Sequence, residues 1–191
     1  KTSQVKNFEF EALEIKNLKS VKEEKLARLK VGVEEVDRVF GGGLVPGSLI
    51  LLSGEPGVGK STILAQVTNK IAKIFDKDSK SVIYISGEES APQVKGRFAR
   101  LKADLDSVYF AAETSIEKII ATAKKLQPKL LVVDSIQTVH SELVPSEAGS
   151  INQIRATTVS LLELAKKNNI IVITNLYNLT SIINSNKYQH P

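Results

Sequence analysis

A glycine-rich octapeptide has the residue types and spacing of a phosphate-binding loop. Residues 54–61 read Gly-Glu-Pro-Gly-Val-Gly-Lys-Ser. Glycines let a backbone fold closely around phosphate oxygens, and N–H groups at the start of a following helix attract an anion. We expect Lys60 to be a catalytic residue that reaches the β- and γ-phosphates, and the Ser61 hydroxyl to bind Mg²⁺. The expected nucleotide-binding residues are Gly54, Glu55, Pro56, Gly57, Val58, Gly59, Lys60, Ser61 and Thr62.

The segments on either side of the loop have the patterns that this mechanism requires. Residues 48–53 form a short apolar run typical of a buried strand, and residues 62–75 have apolar side chains at helical spacing. A glycine turn that merely precedes a helix is the alternative. Because the strand, Lys60 and Ser61 all stand in register with the loop, the sequence predicts a site for a nucleoside triphosphate with Mg²⁺.

Two carboxylates follow other predicted strands. Asp134 comes after four aliphatic residues and is expected to hold the metal directly or through water, although an acid after an aliphatic run is common. Glu88 follows a strand and the pair Ser86-Gly87, and we expect it to orient or deprotonate the attacking water. Glu89 is the second candidate for that role. In the alternative interpretation, both glutamates only complement the dipole of a helix N-terminus.

Other polar residues suggest contacts with phosphate. Asn175 follows the last predicted strand and can hydrogen-bond the γ-phosphate or the water, or can be an ordinary loop residue. Three arginines, Arg97, Arg100 and Arg155, are candidates for contacts with nucleotide across a subunit boundary or with DNA. Solvated arginines on helix faces are the alternative.

Apolar strands alternate with helical patterns along the chain. The predicted strands are 48–53, 81–85, 108–112, 130–133 and 170–173, and the predicted helices are 31–40, 62–75, 91–102, 116–126 and 151–167. Strands spaced by helices predict an α/β fold, with a mostly parallel twisted sheet covered by helices on both faces. We expect residues 31–174 to form this core, residues 1–30 to be a tether or peripheral helix, and residues 175–191 to be an irregular tail.

Composition bounds the classes of function. The 191 residues, 42% of them hydrophobic, are enough for one substantial core. The absence of cysteine excludes disulfides and cysteine-ligated zinc, and no membrane span or signal segment is recognisable, so we expect a cytoplasmic protein. The net charge of +5 permits an acidic partner such as DNA, although the scattered lysines also suit a solvated surface.

Several motifs together resemble a known family. Residues 41–48, Gly-Gly-Gly-Leu-Val-Pro-Gly-Ser, lead into the phosphate loop as in RecA-like ATPase cores. Residues 86–90 (Ser-Gly-Glu-Glu-Ser), 93–97 (Gln-Val-Lys-Gly-Arg), 134–138 (Asp-Ser-Ile-Gln-Thr) and 145–155 are similar to the bacterial RadA/Sms family of DNA repair proteins. The resemblance covers roughly residues 31–173.

This resemblance implies a RecA-like P-loop NTPase fold and a DNA-dependent ATPase of recombinational repair. It implies branch migration on single-stranded or branched DNA and a ring of six subunits with ATP between neighbours. By position, Lys60 and Ser61 are the phosphate and metal residues, Asp134 is the strand-end acid and Glu88 is the catalytic glutamate.

The chain also departs from the family pattern. The family's four-cysteine zinc finger, its Lys-Asn-Arg-Phe-Gly motif and its C-terminal domain have no counterpart in the sequence, so we expect a central ATPase segment. Residues 174–178 read Thr-Asn-Leu-Tyr-Asn where the family has Gly-His-Val-Thr-Lys, and Val31 stands where a threonine is usual. Two alternatives therefore stay open: an ATP- and DNA-binding module with little turnover, and a KaiC-like regulatory ATPase that acts on protein.

Overall fold

The computed structural model describes residues 15–20, 27–75 and 79–177. Its strands are β1 (Leu49–Gly54), β2 (Val82–Ser86), β3 (Val108–Ala112), β4 (Leu130–Asp134) and β5 (Ile171–Tyr177). Its helices are α1 (Glu34–Val39), α2 (Lys60–Ala72), α3 (Ala91–Arg100), α4 (Ile116–Leu126) and α5 (Ile151–Asn168), and a short 3₁₀ turn spans Leu18–Ser20. The five strands form a sheet in the order β1-β5-β4-β2-β3, and every pairing is parallel.

Alternate residues of the central strands pack into two separate apolar clusters, as the period of a strand requires. Tyr84 and Val132 pack on one face with residues of α2 and α3. Ile83 and Leu131 pack on the other face with residues of α4 and α5. The predicted fold is confirmed: this is an α/β RecA-like P-loop NTPase fold, with helices on both faces of a parallel sheet.

Two predicted helices begin elsewhere than expected. Helix α1 begins at Glu34 because the N–H groups of Val31 and Gly32 donate to the Asp37 carboxylate, at 2.8 and 2.9 Å, and so belong to a turn. Helix α2 already begins at Lys60, within the phosphate loop. The start of α2 therefore brings Lys60 and Ser61 into its first turn.

The last strand extends three residues beyond the predicted core. We predicted an irregular tail from Asn175, but β5 continues through Tyr177, which pairs with Gly54 of β1. The sequence did not predict this extension of β5, because a polar residue such as Asn175 is not expected in a buried strand. Asn175 is buried by tertiary contacts that its residue type does not predict. The rest of the predicted tail, residues 178–191, lies outside the described residues.

The segment before the predicted core is described only in part. Residues 1–14 and 21–26 of the predicted tether lie outside the described ranges. Leu29 pairs with Leu44 through two backbone hydrogen bonds of 2.7 and 2.8 Å and packs against the core. Within the described ranges, no helix combines the length and the hydrophobicity needed to cross a bilayer.

Candidate nucleotide-binding site

The predicted site residues meet at one edge of the sheet. In a parallel sheet the carboxyl ends of all strands lie at the same edge, where ligands of open α/β sheets bind. Gly54 at the end of β1 is paired with Tyr177 of β5, and Ser86 at the end of β2 is paired with Asp134 of β4. Strand β5 lies between β1, which leads into the phosphate loop, and β4, which ends at Asp134. Strand β2, which precedes Glu88, lies on the other side of β4.

The phosphate loop turns from β1 into α2 through glycines in the left-handed region. Gly57 and Gly59 have φ angles of 82° and 94°, which other residues adopt only with strain. No side chain caps the N-terminus of α2, whereas Ser115 and Ser150 cap α4 and α5. The first-turn N–H groups of a helix have no carbonyl partner inside it, so this turn of α2 can bind an anion.

The Lys60 ammonium group lies inside the loop. It donates to the carbonyl oxygens of Gly54 and Glu55 at 2.6 and 2.7 Å, and it lies 4.7 Å from the centre of the Tyr177 ring. The residue is only 7% exposed. Its positive charge is therefore held within the loop, by the loop's own carbonyl oxygens.

Three donors fix the buried carboxylate of Asp134. Oδ2 accepts from the Tyr84 hydroxyl at 2.5 Å and from Arg97 at 3.3 Å, while Oδ1 accepts from the Asn175 amide at 2.7 Å. Burial, and then the charge of Asp134, raises the pKa of Tyr84 well above its usual value, so Tyr84 remains a donor. Asp134 thus lies at the strand end predicted for it, with an orientation set by its neighbours.

The two candidate glutamates face different partners. Glu88 Oε1 accepts from the Ser135 hydroxyl at 2.6 Å, and Oε2 accepts from the Tyr177 hydroxyl at 3.1 Å. Glu89 instead forms an ion pair with Arg97, on the side of α3. Glu88 is therefore the glutamate that contacts Ser135, after the end of β4, and Tyr177, at the end of β5.

The other polar candidates are either bound to residues of the chain itself or exposed on helices. Arg97 is bound to Glu89 and Asp134 within the chain, and its side chain is 14% exposed. Asn175 is fully buried and donates to Asp134. Arg100 and Arg155 are exposed on α3 and α5. In this arrangement the Arg97 guanidinium group is engaged by two carboxylates, and its role as a phosphate contact stays a prediction.

The sequence interpretation did not identify Tyr177 as part of the site. Its hydroxyl donates to Glu88 at 3.1 Å, and its ring contacts Lys60. Burial, followed by the charges of Glu88 and Asp134, raises the pKa of Tyr177 to about 12. The Gln137 side chain accepts from the backbone N–H of Tyr177 at 2.7 Å and donates to its carbonyl oxygen at 3.0 Å. The signal available in the sequence was the departure from the family pattern at residues 174–178.

The donor set fits a magnesium-bound nucleotide. Around Gly57 and Gly59 there is open space where a Cβ would stand, so the loop can approach a ligand closely. The buried Oδ1 of Asn175, beside Asp134, has no hydrogen-bond partner within the described part of the chain, which suits an ordered water. Lysine, first-turn N–H groups, a hydroxyl and a carboxylate are the groups that bind triphosphate and Mg²⁺ in P-loop enzymes.

Comparison with known proteins identifies the family of this chain. The AAA domain family matches residues 14–174. The chain is 46% identical over 146 residues to DNA repair protein RadA of Streptococcus pneumoniae, an alignment that covers 76% of the chain and 33% of that relative. It is 42% identical over 159 residues to DNA repair protein RadA of Escherichia coli, covering 83% of the chain and 34% of the relative. The chain thus matches about a third of the length of these relatives.

Proposed function

Because this chain belongs to the AAA domain family and is RadA/Sms-like, we propose that it is a DNA-dependent ATPase of recombinational DNA repair. The observation that carries the proposal is the convergence of Lys60, Asp134 and Glu88 at one sheet edge. The names of the relatives support the repair context. The basic net charge of +5 is compatible with a DNA partner.

The residues of the site have different roles in phosphoryl transfer. Lys60 and the first-turn N–H groups of α2 bind the oxygens of the triphosphate, while Ser61 and Asp134 hold Mg²⁺. Mg²⁺, when bound, supplies positive charge that offsets the charge of the phosphates. Since both oxygens of Asp134 already accept hydrogen bonds from the protein, Asp134 is suited to act on the metal through a water.

Glu88 orients the attacking water and accepts its proton. The Ser135 hydroxyl binds Oε1 of the carboxylate, so its direction is set before substrate binds. Positioning of this kind, together with stabilisation of charge, supplies most of the rate enhancement in phosphoryl transfer.

The larger assembly follows from the resemblance. In this proposal the protein acts on branched or single-stranded DNA intermediates and drives branch migration as a cytoplasmic hexameric ring, with ATP bound between neighbours. Support comes from the relatives' shared name, DNA repair protein RadA.

Paired substitutions test the site. Lys60→Ala removes the group that binds phosphate, and we expect loss of nucleotide binding, whereas Lys70→Ala, an exposed lysine on the same helix, leaves binding unchanged. Glu88→Gln is expected to lower turnover about a hundredfold or more while ATP still binds. If Lys60→Ala hydrolyses ATP as the parent does, the site assignment is wrong.

A second measurement tests the DNA partner. Single-stranded DNA is expected to stimulate ATP turnover, and the stimulation should fade as salt is raised, because phosphate contacts release counterions. ATP binding without turnover in the parent would favour the binding module with little turnover. Turnover that DNA leaves unchanged would favour a regulatory ATPase acting on protein.

A further inference from the structure

We propose that Tyr177 sets the nucleotide affinity of this site by competing with the magnesium-bound triphosphate and its attacking water for Lys60 and Glu88. This inference rests on the proposed function and concerns its regulation.

The two side-chain contacts of Tyr177 coincide with two chemical roles of the site. The ring lies over the Lys60 ammonium at 4.7 Å. The hydroxyl donates to Glu88 at 3.1 Å. The group assigned to phosphate and the group assigned to water are thus both bound by one side chain.

The position of Tyr177 explains how it reaches both groups. Tyr177 pairs with Gly54 in the sheet, so it stands beside the first residue of the phosphate loop. From there the phenol contacts the Lys60 ammonium and the Glu88 carboxylate. Because a bound triphosphate and its attacking water need these two groups, the phenol must leave for them to act.

The backbone of Tyr177 can stay in place while the side chain moves. Its N–H donates to Gln137 Oε1 at 2.7 Å, and its carbonyl accepts from Gln137 Nε2 at 3.0 Å. The residue is half-buried rather than enclosed. Rotation about its side-chain torsions therefore releases Lys60 and Glu88 without disrupting β5.

Two substitutions separate the hydroxyl from the ring. Tyr177→Phe removes the hydrogen bond to Glu88 and keeps the ring over Lys60. Tyr177→Thr also removes the ring, while retaining a residue that is favourable in strands and is too short to reach Glu88. Tyr109→Phe is the matched control, since its ring lies over Lys80, at 5.7 Å, and not over Lys60.

The test is calorimetric titration of each variant with Mg²⁺ and a slowly hydrolysed ATP analogue. We expect the dissociation constant to fall about threefold for Tyr177→Phe and about tenfold for Tyr177→Thr, because fewer contacts must be broken. Tyr109→Phe should bind as the parent does. As a second readout, the analogue should raise the Tm of Tyr177→Phe and Tyr177→Thr by more than that of the parent.

The outcomes distinguish this inference from the proposed function. If the parent binds the analogue and both Tyr177 variants bind it equally well or more weakly, competition by Tyr177 is overturned and the ATPase assignment stands. Binding by Tyr177→Thr when the parent shows none would support the competition. If neither the parent nor any variant binds the analogue, the proposed function fails and this inference fails with it.

Discussion

The Ser135 hydroxyl donates a 2.6 Å hydrogen bond to Oε1 of Glu88, although 47 positions separate the two residues in the chain. Ser135 follows the end of β4 and Glu88 follows the end of β2, and these strands are neighbours in the sheet. The contact therefore joins the loop that follows the metal residue to the carboxylate proposed to act on water.

Ser135→Ala is expected to lower ATP turnover about tenfold and to leave nucleotide affinity within about twofold, because the hydrogen bond orients Glu88 and does not contact the loop. Steady-state kinetics combined with equilibrium binding measures both effects. Ser160→Ala, the same change on α5, is the control and should alter neither. An equal loss of affinity and turnover would contradict a role in positioning.

Arg97→Met is expected to reduce the free energy of unfolding by about 3 kcal/mol, because it leaves the buried Asp134 and the partly buried Glu89 without their cation. Urea denaturation measures the change. The control is Arg100→Met, an exposed arginine on the same helix, for which a change within about 0.5 kcal/mol is expected. A stable Arg97→Met protein with weakened DNA binding would instead favour the phosphate-contact interpretation.

Gly87→Ala is expected to destabilise the protein by about 2 kcal/mol, because a Cβ at this position would lie 2.3 Å from Thr138 Oγ1. Gly96→Ala makes the same chemical change inside α3, where nothing lies within 4 Å of the added carbon. There the substitution should raise stability by about 0.5–1 kcal/mol, as alanine favours helix. Thermal unfolding of both variants checks the contrast, and equal effects at the two sites would refute it.

Glu113→Gln tests a carboxylate beside the site. Hydrogen bonds from the backbone N–H groups of Ser115 and Thr114 hold the pKa of Glu113 below its usual value. The ionised form is thus favoured in the folded protein, and its contribution is present above the unfolded-state pKa and lost as the pH falls through the folded-state pKa. We expect the variant to have a lower Tm than the parent at pH 7, and the difference to shrink steadily below about pH 4.5. A difference in Tm that does not depend on pH would show that the ionised carboxylate of Glu113 is not its cause.

Much of the fold was predictable because its signals are local. Strand β3 has the bounds predicted for it, and the aliphatic runs of β2 and β4 end where the polar residues of the site begin. Glycine spacing indicated the phosphate loop, since a chain that turns from a strand into a helix around an anion needs those residue types in that order. The alternation of strands and helices likewise predicted a parallel sheet.

The sequence by itself therefore determined the phosphate loop, the alternation of elements and the acidic residues at strand ends, all of which depend on neighbouring residues. Only the tertiary structure decided which side chains meet. Strand order places β5 between β1 and β4, which brings Tyr177 to Lys60 and Asn175 to Asp134. The ion pair of Arg97 with Glu89 leaves Glu88 as the glutamate that contacts Ser135 and Tyr177. Such contacts join residues far apart in the chain, and they depend on strand order and register, which no local pattern specifies.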